Sequence, residues 1–124
     1  MKFCTAINCM DGRVQLPVIK YLQKRFNVEY VDTITEGGPN LILSEGKNEI
    51  LIQSIFDRVK ISVEKHNSVG IAITGHYDCA KNPASESEQI RQIEKAIEVI
   101  KKQFGNMEII GLWIDENWHV KELK

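Results

Sequence analysis

The feature that most constrains this chain is an alternation of two periodicities. Runs rich in β-branched residues occur at Phe3–Ile7, Val28–Ile34, Val69–Thr74 and Met107–Ile114, and each reads as a buried strand. Between them apolar residues recur at helical spacing: Leu16, Ile19, Leu22 and Phe26; then Ile52, Ile55, Phe56, Val59 and Val63; then Ile90, Ile93, Ile97, Ile100 and Phe104. Strands separated by helices need crossover connections. The pattern therefore predicts an α/β fold with a mostly parallel sheet, right-handed crossovers and helices on both faces. Turn residues Asp115-Glu116-Asn117 follow the fourth run, so Trp118–Leu123 reads as a short antiparallel edge strand. The third helix has the clearest start, with Asn82 as a cap, Pro83 at the first position and a Ser85–Glu88 capping box one turn later.

No linker, repeat or low-complexity segment interrupts the 124 residues, and a single domain over 1–124 is expected. A domain of this size buries roughly two-thirds of its unfolded surface, so it needs no metal merely to fold, and a metal site would be free for chemistry. Sixteen Lys and Arg against seventeen Asp and Glu, without blocks of like charge, point away from nucleic acid and from acidic membranes. The apolar run before Asn8 is too short for a signal peptide, and no later stretch spans a bilayer. A cytoplasmic location is expected. There the thiols of Cys4, Cys9 and Cys79 stay reduced, and an odd count fits a ligand set better than a disulfide framework.

Two clusters, Cys9-Met10-Asp11-Gly12-Arg13 and His76-Tyr77-Asp78-Cys79, each follow a predicted strand directly. Carboxyl ends of strands are where ligands bind in open α/β sheets, above all where the strand order reverses, and the first and third strands are candidates for such neighbours. Cys9, His76 and Cys79 supply the thiolate and imidazole ligands that zinc prefers, in the three-ligand pattern that leaves a fourth position open. Extended backbone would turn Cys9, Asp11 and Arg13 to one side. Asp11 then has two options: fourth ligand in a closed state, or bidentate partner of Arg13. Cys4, inside the first strand, reads as a small core hydrophobe. His66 is expected at a helix C-terminus in solvent, His119 on the exposed edge strand, Asp78 in a turn, and Trp113 and Trp118 in packing. Gly37-Gly38-Pro39 reads as a turn that could also offer backbone N–H groups to an anion.

These residues resemble the β-class carbonic anhydrases, whose signature is Cys-x-Asp-x-Arg after the first strand and His-x-x-Cys after the third. The likeness runs over nearly the whole chain, including Val69–Cys79 and the closing hairpin Ile110–Val120. It implies reversible hydration of carbon dioxide to bicarbonate on a zinc held by Cys9, His76 and Cys79. Asp11 would accept a hydrogen bond from hydroxide at the metal, and Arg13 would hold Asp11 off it. Two thiolates offset the metal's charge, so activity is expected to favour alkaline pH. Where the family has an Arg-Asn-Ala-Gly-like segment this chain has Thr35-Glu36-Gly37-Gly38, and Ala80 stands where Gly follows the second cysteine. The chain starts almost at the first strand, so the helical arm of longer relatives is not expected. Hydrolysis of carbonyl sulfide or carbon disulfide is a neighbouring reading. A non-catalytic closed zinc site is another, favoured if Glu36 repels bicarbonate. The resemblance implies a homodimer or higher homo-oligomer, for which Leu41-Ile42-Leu43 and Leu51 are the candidate surface.

Metal analysis tests the ligand set. About one zinc per chain is expected, retained in Cys4→Ser and lost in Cys79→Ser; full occupancy in Cys79→Ser would remove Cys79 from the site.

Overall fold

Near-continuous burial, the property expected of a central parallel strand, singles out two of the β-branched runs. In the computed structural model, which describes residues 1–124, Cys4 through Cys9 are all buried in β1 (Phe3–Cys9), and so is every residue of β3 (Gly70–His76). Between and beyond them lie α1 (Gln15–Arg25), β2 (Tyr30–Glu36), α2 (Pro39–Glu45), α3 (Glu49–Lys65), α4 (Glu86–Gln103), β4 (Glu108–Ile114) and β5 (Val120–Leu123). The sheet order is β2-β1-β3-β4-β5. All pairings are parallel except β4 with β5, the antiparallel edge read from the sequence. The order reverses between β1 and β3, where Ala6 pairs with Ala72 and Ile7 with Ile73. Cys9 and His76, the last residues of those strands, therefore reach the same edge.

Helices cover both faces. On one face α1 places Val18 and Leu22 on a cluster with Cys4, Ala6, Ala72 and Leu112. On the other, Leu43 of α2, Ile55, Phe56 and Val59 of α3, and Ile93, Ala96 and Ile100 of α4 pack on Ile7, Ile34, Ile71 and Ile73. No helix is long and apolar enough to cross a membrane.

The structure shifts several local expectations. Val14, Val18 and Leu22 form the buried stripe of the first helical segment, whereas Leu16 is 65% exposed. Apolar residues stand on two faces there, and the short 3₁₀ turn Gly12–Val14 sets the phase that sequence spacing left open. Helix α2 falls where a turn was expected. Its three consecutive apolar residues carry no helical period, but Gly38 in the left-handed region (φ 64°) and Pro39 at the first turn start it. A side chain on Gly38 would also meet Asn82 Cβ at 3.1 Å. Ser85, not Asn82, caps α4, accepting the Glu88 N–H at 3.3 Å, while Asn82 is buried. Leu43 belongs wholly to the core, with Ile42 and Leu51 partly buried against it, so less of this segment is free for subunit contacts than its composition suggests. The exposed large apolar residues are instead Met10, Leu16, Ile50 and Ile61, among others.

The phase of α1 is testable by urea unfolding. Leu22→Ala should destabilise by about 2–5 kcal/mol, and Leu16→Ala should stay within about 0.5 kcal/mol of the parent. The reverse ranking would put the other face inward.

Candidate metal centre

The loop after β1 is fixed before any ligand is considered. Buried Asn8 accepts the Cys9 N–H at 2.9 Å and the Thr74 hydroxyl at 2.7 Å, tying the ends of β1 and β3 together. Gln15 Nε2 donates to the carbonyls of Cys9 and Asp11, both at 2.8 Å. After β3, the chain turns through Asp78, whose φ is 59°, and Asn82 N–H donates to the Cys79 carbonyl at 3.3 Å. These turns aim three side chains inward. One ligand atom each from Cys9, His76 and Cys79 lie within 4.8 Å of one another, and all three residues are buried. The trio could hold a metal ion.

Two observations fit that role. The sulfurs of Cys9 and Cys79 are 3.9 Å apart, and a tetrahedral ion with metal–sulfur bonds of about 2.3 Å would separate them by about 3.8 Å. His76 Nδ1 lies 2.8 Å from the Tyr77 carbonyl, an acceptor only, so Nδ1 carries a proton. Nε2 is buried without a hydrogen-bond partner, which leaves it to act as a ligand.

Burial raises the Cys9 thiol, but the nearby His76 ring and the backbone N–H groups of Gly38 and Asp11 outweigh it and bring its pKa below the usual value. Cys79 moves the other way, through burial and the neighbouring Cys9 sulfur. Burial opposes the imidazolium of His76, yet Cys9 and the Tyr77 carbonyl raise its pKa. Cys4 lies outside the trio, fully buried, with its thiol pushed up to about 12 by burial and then by Asp32.

Asp11 and Arg13 meet as a bidentate pair. Arg13 Nε and Nη2 donate to Asp11 Oδ1 and Oδ2 at 3.1 and 2.8 Å, and the Arg13 backbone N–H adds a third bond at 2.9 Å. These bonds hold the Asp11 carboxyl down to about 2. Of the two positions open to Asp11 in the sequence, the structure displays the one on Arg13; its carboxylate is not grouped with the ligand trio.

Several contributors were not read from the sequence. Asp78 does occupy a turn, but it also accepts from Arg13, and the Arg13 guanidinium lies over the Trp118 ring, which thus does more than pack. Gln89 clamps the backbone of His76: its Oε1 accepts the His76 N–H at 3.2 Å and its Nε2 donates to the His76 carbonyl at 3.0 Å. Its signal was a polar residue one helical turn before Ile93, on the core stripe of α4. Asn40, Asn82 and Gln92 join it in a buried amide network. Glu36 does not face the trio as a free charge; it pairs with Arg58. His66 bonds Asp32 at 2.7 Å and stacks on Phe3, and His119 is exposed; neither joins the trio.

Cys9, Met10, Asp11, Gly37, Cys79, Ala80 and Lys81 line a cavity of about 170 Å³. The Lys81 stem lies where a side chain on Gly37 would be, 2.7 Å from that position. A larger cavity of about 350 Å³, between the start of α4 and Trp113, contains none of the three ligands.

The sequence profile of a family described as "Putative carbonic anhydrase" matches residues 1–124. Among curated protein sequences nothing matches. Similar solved structures include a tetrameric β-carbonic anhydrase from the filamentous ascomycete Sordaria macrospora, 15% identical, with a TM-score of 0.58 over 98% of this chain and 80% of that one. A mutant of the β-carbonic anhydrase CafD of Aspergillus fumigatus is 11% identical, with a TM-score of 0.61 over 100% of this chain and 90% of that one. A carbonic anhydrase from Glaciozyma antarctica, 13% identical, gives 0.52 over 96% and 80%. At these identities the structures show a shared fold.

The unequal thiols set an order of reactivity. In metal-free folded protein at neutral pH, iodoacetamide should modify Cys9 first, Cys79 more slowly and Cys4 not at all, read by peptide mass spectrometry. Modification of Cys4 ahead of Cys9 would contradict the electrostatics.

Proposed function

The chain belongs to this carbonic anhydrase family, and from that premise we propose that it is a zinc enzyme interconverting carbon dioxide and bicarbonate. The observation that carries the reading is the open arrangement of the site: three buried ligand atoms converge while Asp11 is turned onto Arg13. Cys9 Sγ, His76 Nε2 and Cys79 Sγ would hold the ion. Zinc there supplies Lewis acidity that ionises water near neutral pH without a strong base.

The rest is the work of the chain. Asp11, kept ionised by Arg13, can only accept a hydrogen bond. It would hold the proton of the attacking oxygen and leave a lone pair free for carbon. Met10, Gly37 and Ala80 give the cavity walls that suit a small linear molecule without charge. Lys81 lines the same cavity and would offer a cation to anionic bicarbonate. Pairing of Glu36 with Arg58 removes the charge that would have favoured a non-catalytic site. The net reaction takes up water and releases one proton, which passes to solvent.

The same reading extends to the setting. A homo-oligomer is proposed, supported by the exposed Met10, Leu16 and Ile50 and by the tetrameric Sordaria macrospora relative. Three free cysteines fit the reducing cytoplasm, and residues 1–124 would act as a single zinc domain.

Stopped-flow hydration of carbon dioxide on the zinc-loaded protein tests the proposal. Turnover above buffer, rising with pH, is expected. Arg13→Ala should keep its zinc yet lose about ten-fold or more of the rate, because Asp11 without its partner would take the fourth position. Wild-type rates indistinguishable from buffer at every pH would sink the enzyme reading; full activity in Arg13→Ala would sink the Asp11–Arg13 gate.

A further inference from the structure

Arg13 is held from three sides, and only Asp11 belongs to the pair expected from the sequence. Its Nη1 and Nη2 donate to Asp78 Oδ2 at 3.3 Å and to the Asp78 carbonyl at 3.1 Å. Its guanidinium carbon lies 4.5 Å from the centroid of the Trp118 ring.

Trp118 occupies that position against its own backbone preference. It closes the turn between β4 and β5, where its N–H donates to the Asp115 carbonyl at 2.9 Å and the Asp115 N–H donates to the His119 carbonyl at 3.0 Å. Asp115 Oδ1 locks the turn further by accepting the N–H groups of Asn117 and His119, each at 2.9 Å. The closing residue of such a hairpin sits in the left-handed region, which glycine fills without strain, and Trp118 has φ of 62°. Bulky residues are genuine outliers there and need a compensating contact.

The indole makes two contacts. It packs on the core cluster that contains Cys9 and Cys79, and its face carries the Arg13 guanidinium. Glycine would close the turn, and any apolar residue would cover the core; only an aromatic face also attracts a cation. Arg13 needs that attraction. It is 45% exposed within the short 3₁₀ turn Gly12–Val14, so rotamers that point into solvent compete with this one and would leave Asp11 only the Arg13 backbone N–H.

On the carbonic anhydrase reading above, we infer that Trp118 is a positioning residue that holds Arg13 in the rotamer keeping Asp11 off the metal. It touches no reacting atom and acts through Arg13.

Three variants of the full chain separate this role from simple packing. Trp118→Leu keeps apolar cover and removes the aromatic face; Trp118→Phe keeps both; Arg13→Ala removes the cation. In NMR spectra, the Arg13 side-chain protons should be shifted upfield by the ring in wild type and Trp118→Phe, and lose that shift in Trp118→Leu. In the cobalt(II)-substituted protein at one pH, the visible spectrum of Trp118→Leu should move toward that of Arg13→Ala, and combining the two substitutions should add nothing. Hydration should fall about five-fold in Trp118→Leu, the scale a partly exposed cation–π contact supports, and stay near wild type in Trp118→Phe. Absence of the upfield shift in wild type, or a Trp118→Leu protein matching wild type in spectrum and rate, overturns the inference. If wild type hydrates no carbon dioxide but shift and cobalt spectrum change as described, the enzyme reading fails while the positioning role stands. Should Trp118→Leu fail to fold, Trp118→Gly, which relieves the backbone, takes its place under the same criteria.

Discussion

The reversal of strand order between β1 and β3 is the constraint from which the site follows. The chain leaves β1 toward the face covered by α1, and leaves β3 toward the opposite face covered by α4. Neither departure can close over the gap between the two strand ends, so a crevice remains there. Polar backbone exposed in such a crevice must find partners within the protein. Asn8 and Gln15 satisfy it on the β1 side, and Gln89 on the β3 side. The groups that complete the backbone are therefore also those that aim Cys9 and His76. The geometry of the candidate ligand trio is a consequence of how a parallel sheet ends.

Legibility in the sequence followed from how local each signal was. The strands, the antiparallel edge and the candidate ligand trio were readable because the β-branched runs ending at Ile7 and Thr74 locate the strand ends, and Cys9, His76 and Cys79 stand two to five positions beyond those runs. Asp11 and Arg13 were readable for the same reason, since their pairing spans two residues. Helix α2 was not, because seven residues opened by Gly38 and Pro39 give a helical period no room to show. The phase of α1 was ambiguous because Val14 and Val18 compete with Leu16 and Ile19, and only the preceding 3₁₀ turn decides between them. Gln89 and Trp118 act across 13 and 105 residues respectively, on His76 and Arg13. Such distances become contacts only once register and crossovers are set.

The charges at the rim form one connected set. Asp11 and Asp78 flank Arg13, Trp118 lies beneath it, and Glu36 is drawn toward Arg58 instead. An ammonium in place of Arg13 could reach one carboxylate as a point charge, but it could not present a flat face to an indole and a two-pronged edge to Asp11 together. The planarity of arginine is what lets one side chain serve three neighbours. It also makes the pairing directional, with both Asp11 oxygens held on one edge of the guanidinium.

That geometry limits how pH can act on the gate. Arg13 depresses the Asp11 carboxyl to about 2, below the ordinary aspartate value of about 3.9. A group shifted in this direction contributes stability that is fully present above its unfolded pKa and is lost as pH falls through the folded one. The Asp11–Arg13 pair thus weakens by protonation only between about pH 4 and 2, far below any pH at which hydration would be measured. Above that window Asp11 paired with Arg13 is an anion. On the proposed zinc reading, its choice between Arg13 and a metal would be a competition between cationic partners, decided by what else could bind at the fourth position and by how firmly Arg13 is held. On that reading, acid would favour a closed arrangement by making hydroxide scarce rather than by neutralising Asp11. The firmness of the Arg13 end is then set within the protein, by the contacts of Arg13 with Asp78 and Trp118.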